Sequence, residues 1–267
     1  LTISPKTVTL SATKTYDSDT SLTGFVSVGT GVGTQTLTYT GAAANDANVA
    51  TVDKYISAIT LANGDNGGVA TNYQLPTLDR ANAPVTINAK ALTITADARQ
   101  TTYGTALVLG TTAFTKSGLE SVDSISGVTL KHGINTTVPV TQFAGTYTDE
   151  IIASAATGSG LSNYSITYRP NTLRVNKYVI SINAPSVTKA YDGLTSYTAS
   201  SADLTTMGSG LLNGHSITAA TITFANKNVS SGNKVVALDA ITLAVLIRRS
   251  LLVVSLSQMA IVVITTP

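Results

Sequence analysis

The sequence predicts an all-β chain of three tandem modules, and three observations carry that prediction. The first is self-similarity at a fixed period. Lys6-Thr7-Val8-Thr9-Leu10…Lys14-Thr15-Tyr16-Asp17 returns as Lys90-Ala91-Leu92-Thr93-Ile94…Thr102-Tyr103-Gly104-Thr105, and again as Lys177-Tyr178-Val179-Ile180…Lys189-Ala190-Tyr191-Asp192-Gly193. Successive turn tyrosines lie 87 and then 88 positions apart, which means an array of one folding unit rather than one large domain. The second is composition. Thr, Ser, Val, Ile and Gly are prominent, and β-branched side chains fit a pleated surface better than a helix. The third is apolar–polar alternation in short runs broken by Gly, Asn and Asp, the pattern of half-buried strands joined by turns.

The first module covers 1–89. Alternation marks strands at 7–10, 37–40, 55–61 and 85–87. Asn63-Gly64-Asp65-Asn66-Gly67-Gly68 is turn chemistry, because Asn and Gly tolerate positive φ. The Ala-rich stretch 42–57 admits a helix as the alternative, weakened by its Thr, Asn and Val. The second module covers 90–176, with strands expected at 92–95, 128–131, 145–152, 164–168 and 172–175 and a short helical turn as an option at 118–124. The third covers 177–267 and departs from the pattern after 243. Its Gly210-Leu211-Leu212-Asn213-Gly214-His215-Ser216-Ile217 repeats Gly118-Leu119-Glu120-Ser121-Val122-Asp123-Ser124-Ile125 at corresponding offsets, and its Asn228-Val229 repeats Asn48-Val49. Asn72-Tyr73-Gln74-Leu75 and Asn163-Tyr164-Ser165-Ile166 mark the first two modules again. The junctions at 85–90 and 175–177 hold almost no Gly or Ser, so they read as stiff.

Composition excludes several functions. Net charge is +2 with only 11% charged residues, against a usual ~25%, so no nucleic-acid footprint is visible. Cysteine is absent, which removes disulfides, zinc–thiolate sites and thiol catalysis. The only histidines are His132 and His215. Both read as surface or turn residues rather than members of a Ser-His-Asp site. Glutamate occurs only at Glu120 and Glu150, too few for paired-carboxylate chemistry. Asp17-Ser18-Asp19 and Asn63-Gly64-Asp65-Asn66 carry oxygen ligands, but not at the spacing of a calcium-binding loop. Gly29-Thr30-Gly31-Val32-Gly33 lacks the lysine and following helix of a phosphate loop. No catalytic, cofactor-binding or metal site is expected. The residues singled out are structural repeat anchors: Tyr16, Tyr103 and Tyr191 at the turns, and Tyr73 and Tyr164 in the Asn-Tyr marks. Each turn tyrosine is expected to pack its ring on its own module with the hydroxyl bonded near the turn.

At these residues the chain resembles the YDG and MBG-type repeats of large bacterial surface adhesins, including filamentous-haemagglutinin-like exoproteins. Lys189-Ala190-Tyr191-Asp192-Gly193, Phe224-Ala225-Asn226-Lys227-Asn228-Val229, Gly67-Gly68-Val69-Ala70-Thr71-Asn72-Tyr73-Gln74-Leu75 and Asn171-Thr172-Leu173-Arg174-Val175-Asn176-Lys177 carry the resemblance. It spans about residues 1–243, with modules one and three similar to the YDG type and module two to the variant with Gly after Tyr. Two positions depart from the pattern: Ser18 stands where the turn has glycine, and His215 where an aspartate is usual. The resemblance implies small β-rich modules in long stalks on Gram-negative cell surfaces, and it supplies no catalytic residues.

The expected fold is therefore three tandem immunoglobulin-like β-sandwiches in a rod, the alternative being β-grasp-like modules with one short helix each. The expected role is a non-enzymatic stalk or adhesion segment of a secreted adhesin, extracellular and at the bacterial cell surface. The alternative is a lectin-like module for host or matrix glycans. The partners expected are host or matrix surface molecules, glycan or protein, and neighbouring repeat modules of a longer chain. Neither nucleic acid nor membrane contact is expected, and no cofactor. The segment 244–267 loses all Gly, Asn, Asp and Tyr. It reads best as a shifted reading frame. A pair of buried strands is a second reading and a membrane anchor a third, although its apolar run is shorter than the ~20 residues a spanning helix needs.

Overall fold

The structure is a computed structural model and describes residues 2–229, 236–247, 250–253 and 262–264. Among these residues the chain is almost entirely β. The first repeat contributes β1 (Lys6–Thr7), β2 (Thr9–Thr15), β3 (Val26–Gly29), β4 (Leu37–Ala44), β5 (Ile56–Asn63), β6 (Tyr73–Gln74) and β7 (Val85–Asn88). The second contributes β8 (Lys90–Ala96), β9 (Arg99–Thr102), β10 (Leu107–Val108), β11 (Phe114–Ser117), β12 (Ser124–His132), β13 (Thr137–Val138), β14 (Gly145–Ser159), β15 (Tyr164–Arg169) and β16 (Asn171–Asn176). The third contributes β17 (Ile180–Ile182), β18 (Ser196–Thr198), the helix α1 (Ser201–Met207), β19 (Ser216–Phe224), β20 (Val236–Ile247), β21 (Ser250–Val253) and β22 (Val262–Ile264).

The first two repeats share one topology in register. The opening strand pairs in parallel with the strand of the Asn-Tyr mark, Lys6 opposite Tyr73 and Lys90 opposite Tyr164. The strand before the turn tyrosine pairs in parallel with the repeat's last strand, Thr15 opposite Asn88 and Thr102 opposite Asn176. The turn tyrosines continue that ladder, each N–H donating at 2.9 Å, Tyr16 to the Asn88 carbonyl and Tyr103 to that of Asn176. The opening segment also takes an antiparallel partner, β3 on β2 and β11 on β8. In the third repeat β17 pairs in parallel with β22, Ile180 opposite Val262.

The chain forms two compact units that do not coincide with the three repeats. One comprises Leu1–Ala96, Thr111–Thr129 and Ala153–Arg169. Its core follows strict alternation: β2 buries Val8's successors Leu10, Ala12 and Lys14 while Thr9, Ser11, Thr13 and Thr15 face out. Val85 and Ile87 of β7 and Leu92, Ile94 and Ala96 of β8 are buried in the same way. The other unit comprises Asp97–Gly110, Leu130–Ile152 and Pro170–Pro267. One cluster of its core gathers Ile180, Ile182, Met207, Ile217, Ala220, Ile222 and Leu238. Each fully buried Leu or Ile in these cores contributes about 1.5–3 kcal/mol relative to exposure.

The β-grasp-like alternative is corrected. It requires a helix in each module, at 42–57 and 118–124. The former holds the end of β4, a loop and the start of β5, and the latter is a bend and turn entered at Gly118 with φ +97. The only α-helix among the described residues is α1, with three-residue 3₁₀ turns at Ala70–Asn72 and Leu161–Asn163. A capping box nucleates α1: the Ser200 hydroxyl accepts from the Asp203 N–H, and the Asp203 carboxylate accepts from the Ser200 N–H. Of the segment 244–267, the described residues lie in strands, β20 pairing antiparallel with β19 and β21. The rest lies outside the described residues. No described helix is long and apolar enough to cross a membrane.

Candidate functional site, the tyrosine junctions

The Lys-x-Tyr-Asp turns of the first and third repeats are built alike. The Lys14 ammonium, fully buried, donates to Asp17 Oδ1 (2.6 Å) and to the carbonyls of Asp19 (2.6 Å) and Ser21 (2.9 Å). Lys189 does the same with Asp192 Oδ1 (2.7 Å) and the carbonyls of Leu194 (3.3 Å) and Ser196 (2.6 Å). A lysine taken out of water needs such a full set of acceptors. The Lys189 contact, with the Leu194 N–H, holds the Asp192 carboxyl below its usual range. Ser18, where the third repeat has Gly193, adopts φ +66 against +78 for that glycine. The turn keeps its left-handed residue even where the sequence lacks glycine.

What the turn presents is the tyrosine, and in the first two repeats the following repeat covers it. Tyr16 is 4% exposed. Its hydroxyl donates to Asp123 Oδ2 (2.9 Å), 107 positions away, in the loop before β12. The same carboxylate oxygen accepts from Tyr164 (2.7 Å), and the two tyrosine rings meet edge to face with centroids 5.5 Å apart at 77°. The Tyr164 hydroxyl in turn accepts from the Glu120 N–H (2.9 Å), and Lys90 is ion-paired with Glu120. Asn163, also buried, takes the Val49 N–H on its Oδ1 (2.8 Å) and donates from Nδ2 to Asn48 Oδ1 (3.0 Å). Close approach here demands glycine: at Gly160, with φ +72, a Cβ would lie 1.8 Å from Asp123 Oδ1. Burial, then the bond to the Asp123 carboxylate, raises the phenols of Tyr16 and Tyr164 above their usual value.

The second junction repeats the first with different chemistry. Tyr103 is 6% exposed. Its hydroxyl is hydrogen-bonded to His215 Nε2, at the position in the loop 210–217 that Asp123 holds in 118–125. The Tyr103 ring stacks on Phe143 (6.3 Å, 5°) and on His215 (5.9 Å, 20°). Asn213 Nδ2 donates to the Val140 carbonyl (3.0 Å), which also accepts from the Gly104 N–H (3.0 Å). Burial pushes the His215 imidazole below its usual range.

The structure thus places four of the five anchors, Tyr16, Tyr73, Tyr103 and Tyr164, in buried sites. Tyr73 donates to Gln35 Oε1 in the loop before β4, as Tyr164 does to Asp123. Two corrections follow. The hydroxyls of Tyr16 and Tyr103 are bonded not near their own turns but to the next repeat's loop. Tyr191, by contrast, is 65% exposed. Asp123, Asn163 and the buried lysine complete the site without having been singled out, and His215, noted as standing where an aspartate is usual, joins them. The signal for Asp123 was present, since its loop matches that of His215 in position.

The remaining candidates do not join the junctions. His132 is half-buried in β12 rather than at the surface. Its Nδ1 lies 3.2 Å from Glu150 Oε2, an ion-pair distance without hydrogen-bond alignment, and its Nε2 is 3.2 Å from Gln142 Oε1. Asp17 Oδ1 is taken by Lys14 and by the Asp19 N–H. Gly31 and Gly33 both have positive φ in a loop after β3.

Fold and site together define an all-β repeat chain in which a tyrosine turn of one repeat is clasped by a loop of the next. Residues 92–174 match the family model of the MBG domain (YGX type), and residues 175–245 match that of the YDG domain. The chain is similar to these domains over those segments, in that order. No curated protein and no solved structure matches it.

Proposed function

We propose that the chain is a non-enzymatic spacing and adhesion segment of a secreted, Gram-negative-type bacterial surface adhesin. In this reading three immunoglobulin-like sandwiches, 1–89, 90–176 and 177–267, follow one another as a rod. It stands at the cell surface and presents binding regions to host or matrix glycans or proteins, without nucleic-acid or membrane contact and without catalysis. One observation carries the reading: the turn tyrosine of one repeat is buried on the loop of the next, twice, at the same loop position. Such junctions fix neighbouring repeats against each other at the cost of buried polar contacts, which suits transmission of reach and force and gives nothing to chemistry. Pairing of two to four strands per sheet, with alternate burial in β2 and β8, supports the sandwich reading.

Small-angle scattering on the purified chain tests the spacer, which requires an elongated particle; a compact globule refutes it. An array of host and matrix glycans and proteins tests the role. A pure spacer gives no saturable binding, whereas specific glycan capture would replace the spacer with a lectin-like module.

A further inference from the structure

Three asparagines in the chain precede a glycine: Asn63, Asn66 and Asn213. Asparagine is a thermolabile residue. A following glycine exposes it to attack by its own backbone, because no Cβ hinders the approach of the glycine nitrogen to the side-chain carboxamide. The structure separates the three sites. At Asn63 the nucleophile is held: the Gly64 N–H donates to the Gly68 carbonyl (3.0 Å), and Asn63 Oδ1 accepts from the Ala70 N–H (2.8 Å). Asn66 and Asn213 instead lead two-residue turns with positive φ at both central positions, +55 and +81 for Asn66 and Gly67, +56 and +76 for Asn213 and Gly214. The turns are closed by the Gly68 N–H on the Asp65 carbonyl and the His215 N–H on the Leu212 carbonyl, both 3.1 Å. Neither closing bond engages the N–H of the central glycine. Gly67 and Gly214 are exposed, so water reaches both. The Asn213 turn lies at a tyrosine junction. Its Nδ2 donates to the Val140 carbonyl, which also accepts from the Gly104 N–H. It thereby ties the loop of His215 to the segment whose Phe143 stacks on Tyr103. The second repeat has Ser121-Val122 at the matching positions, which lack the carboxamide.

We propose that Asn213 is a self-modification site whose conversion loosens the Tyr103 junction. Loss of the Gly214 amide proton to water lets that nitrogen attack Asn213 Cγ. The new N–Cγ bond closes a succinimide ring, the Cγ–Nδ2 bond breaks, and ammonia leaves with a proton. Water then adds across either ring C–N bond and opens it to aspartate or isoaspartate. Overall water enters and ammonia leaves, with no change of oxidation state. Both products lose the Nδ2 donor, so a carboxylate faces the Val140 carbonyl oxygen where an N–H stood. Isoaspartate also adds a backbone carbon inside a two-residue turn. Either change drives the loop 210–217 off the Tyr103 turn. The site holds whether or not the chain serves as a spacer in an adhesin.

Incubation of the full chain in neutral buffer, continued well beyond conversion of a free peptide of the sequence 210–217, tests this by peptide mapping. Asn213 and Asn66 gain the mass of an amide-to-acid conversion and yield isoaspartate, read by electron-transfer fragmentation. Asn63 converts at least about tenfold more slowly, a ratio worth about 1.4 kcal/mol, the scale of the hydrogen bond that its Gly64 nitrogen must first give up. Hydrogen exchange on the same samples reads the junction. As Asn213 converts, the amides of Gly104 and His215, bonded to Val140 and Leu212, lose at least about tenfold in protection. An Asn213→Ser chain, which takes the residue of the matching position in the second repeat, is incubated alongside. It converts at Asn66 as the parent does and keeps its protection, which separates the effect of Asn213 from that of Asn66. An Asn213 that stays intact overturns the proposal. So does an Asn63 that converts as fast as Asn213, or a conversion at Asn213 that leaves exchange at Gly104 and His215 unchanged.

Discussion

Tyr103→Ala and Tyr191→Ala alter the same place in two copies of one motif, and the structure assigns them very different costs. The Tyr103 ring is 6% exposed and stacked between Phe143 and His215, with its hydroxyl bonded to the histidine. Truncating a buried aromatic to Ala costs about 3–5 kcal/mol, part of it the cavity left behind. The lost hydroxyl leaves a buried imidazole short of a partner, about 1 kcal/mol more where the site cannot rehydrate. Tyr191 is 65% exposed, and its replacement stays within about 0.5 kcal/mol, the scale of surface substitutions. At about 3 °C per kcal/mol for a unit of this size, Tyr103→Ala lowers the melting of the second compact unit by roughly 9–18 °C. Tyr191→Ala moves it by about 1–2 °C. Because two units melt, a single two-state fit is not valid; hydrogen exchange read by mass spectrometry assigns each loss to its unit. Equal costs for the two variants would show that burial by the next repeat is not what stabilises the turn.

Three further outcomes follow from the same contacts. His215 has a folded-state pKa lowered by burial, so its contribution is complete above the unfolded value of ~6.5 and is lost as pH falls through that value toward the folded one. Thermal scans at pH 7.5 and 5.5 should therefore show the second unit weakening more than the first, and a His215→Gln chain should lose that difference. Tyr16→Phe removes one of two hydroxyls on Asp123; with Tyr164 still bonded, denaturant unfolding should show a loss of about 1–2 kcal/mol confined to the first unit. Ser18→Gly relieves a left-handed residue and should raise stability by about 0.5–1 kcal/mol, a gain absent if Ser18 makes contacts that matter more.

Much of the fold was legible because burial imposes a period. The expected strands at 7–10, 37–40, 92–95, 164–168 and 172–175 lie inside β1–β2, β4, β8, β15 and β16, where inward Leu, Ile and Val alternate with outward Thr and Ser. The strands β3, β9 and β11 were not legible, since none of them has a buried residue and each owes its conformation to a partner across the ladder. The helix α1 has too few residues for an apolar period; only the Ser200–Asp203 spacing announces it. The repeat also exposed the tyrosines as anchors, and the equivalence of the loops 118–125 and 210–217. It could not show that the tyrosine of one repeat meets the loop of the next, because that contact spans 107 or 112 positions. Periodicity reports what faces inward, not what comes to cover it.

The two spellings of the turn, Tyr-Asp and Tyr-Gly, then have a common explanation in what stands beside the tyrosine. In the first and third repeats the residue after Tyr is an aspartate that holds the repeat's own lysine, Lys14 or Lys189. The second repeat has Thr101 in place of that lysine, and its hydroxyl donates to the Thr105 carbonyl instead. With no ammonium to hold, the position after Tyr103 is released from carrying a carboxylate. It is then claimed by the next repeat: Gly104 has φ +88, and a Cβ there would lie 2.2 Å from Leu212 Cδ1. Lysine and aspartate brace a turn from within, whereas glycine lets the following loop press close enough to brace it from outside. The hydrogen-bond partner changes in step, from the Asp123 carboxylate facing a Tyr-Asp turn to the His215 imidazole facing a Tyr-Gly turn. Exchanging turn types one residue at a time should therefore fail in both directions: Gly104→Asp collides with Leu212, and Asp17→Gly strands Lys14. Moving the lysine together with the aspartate removes only the second fault.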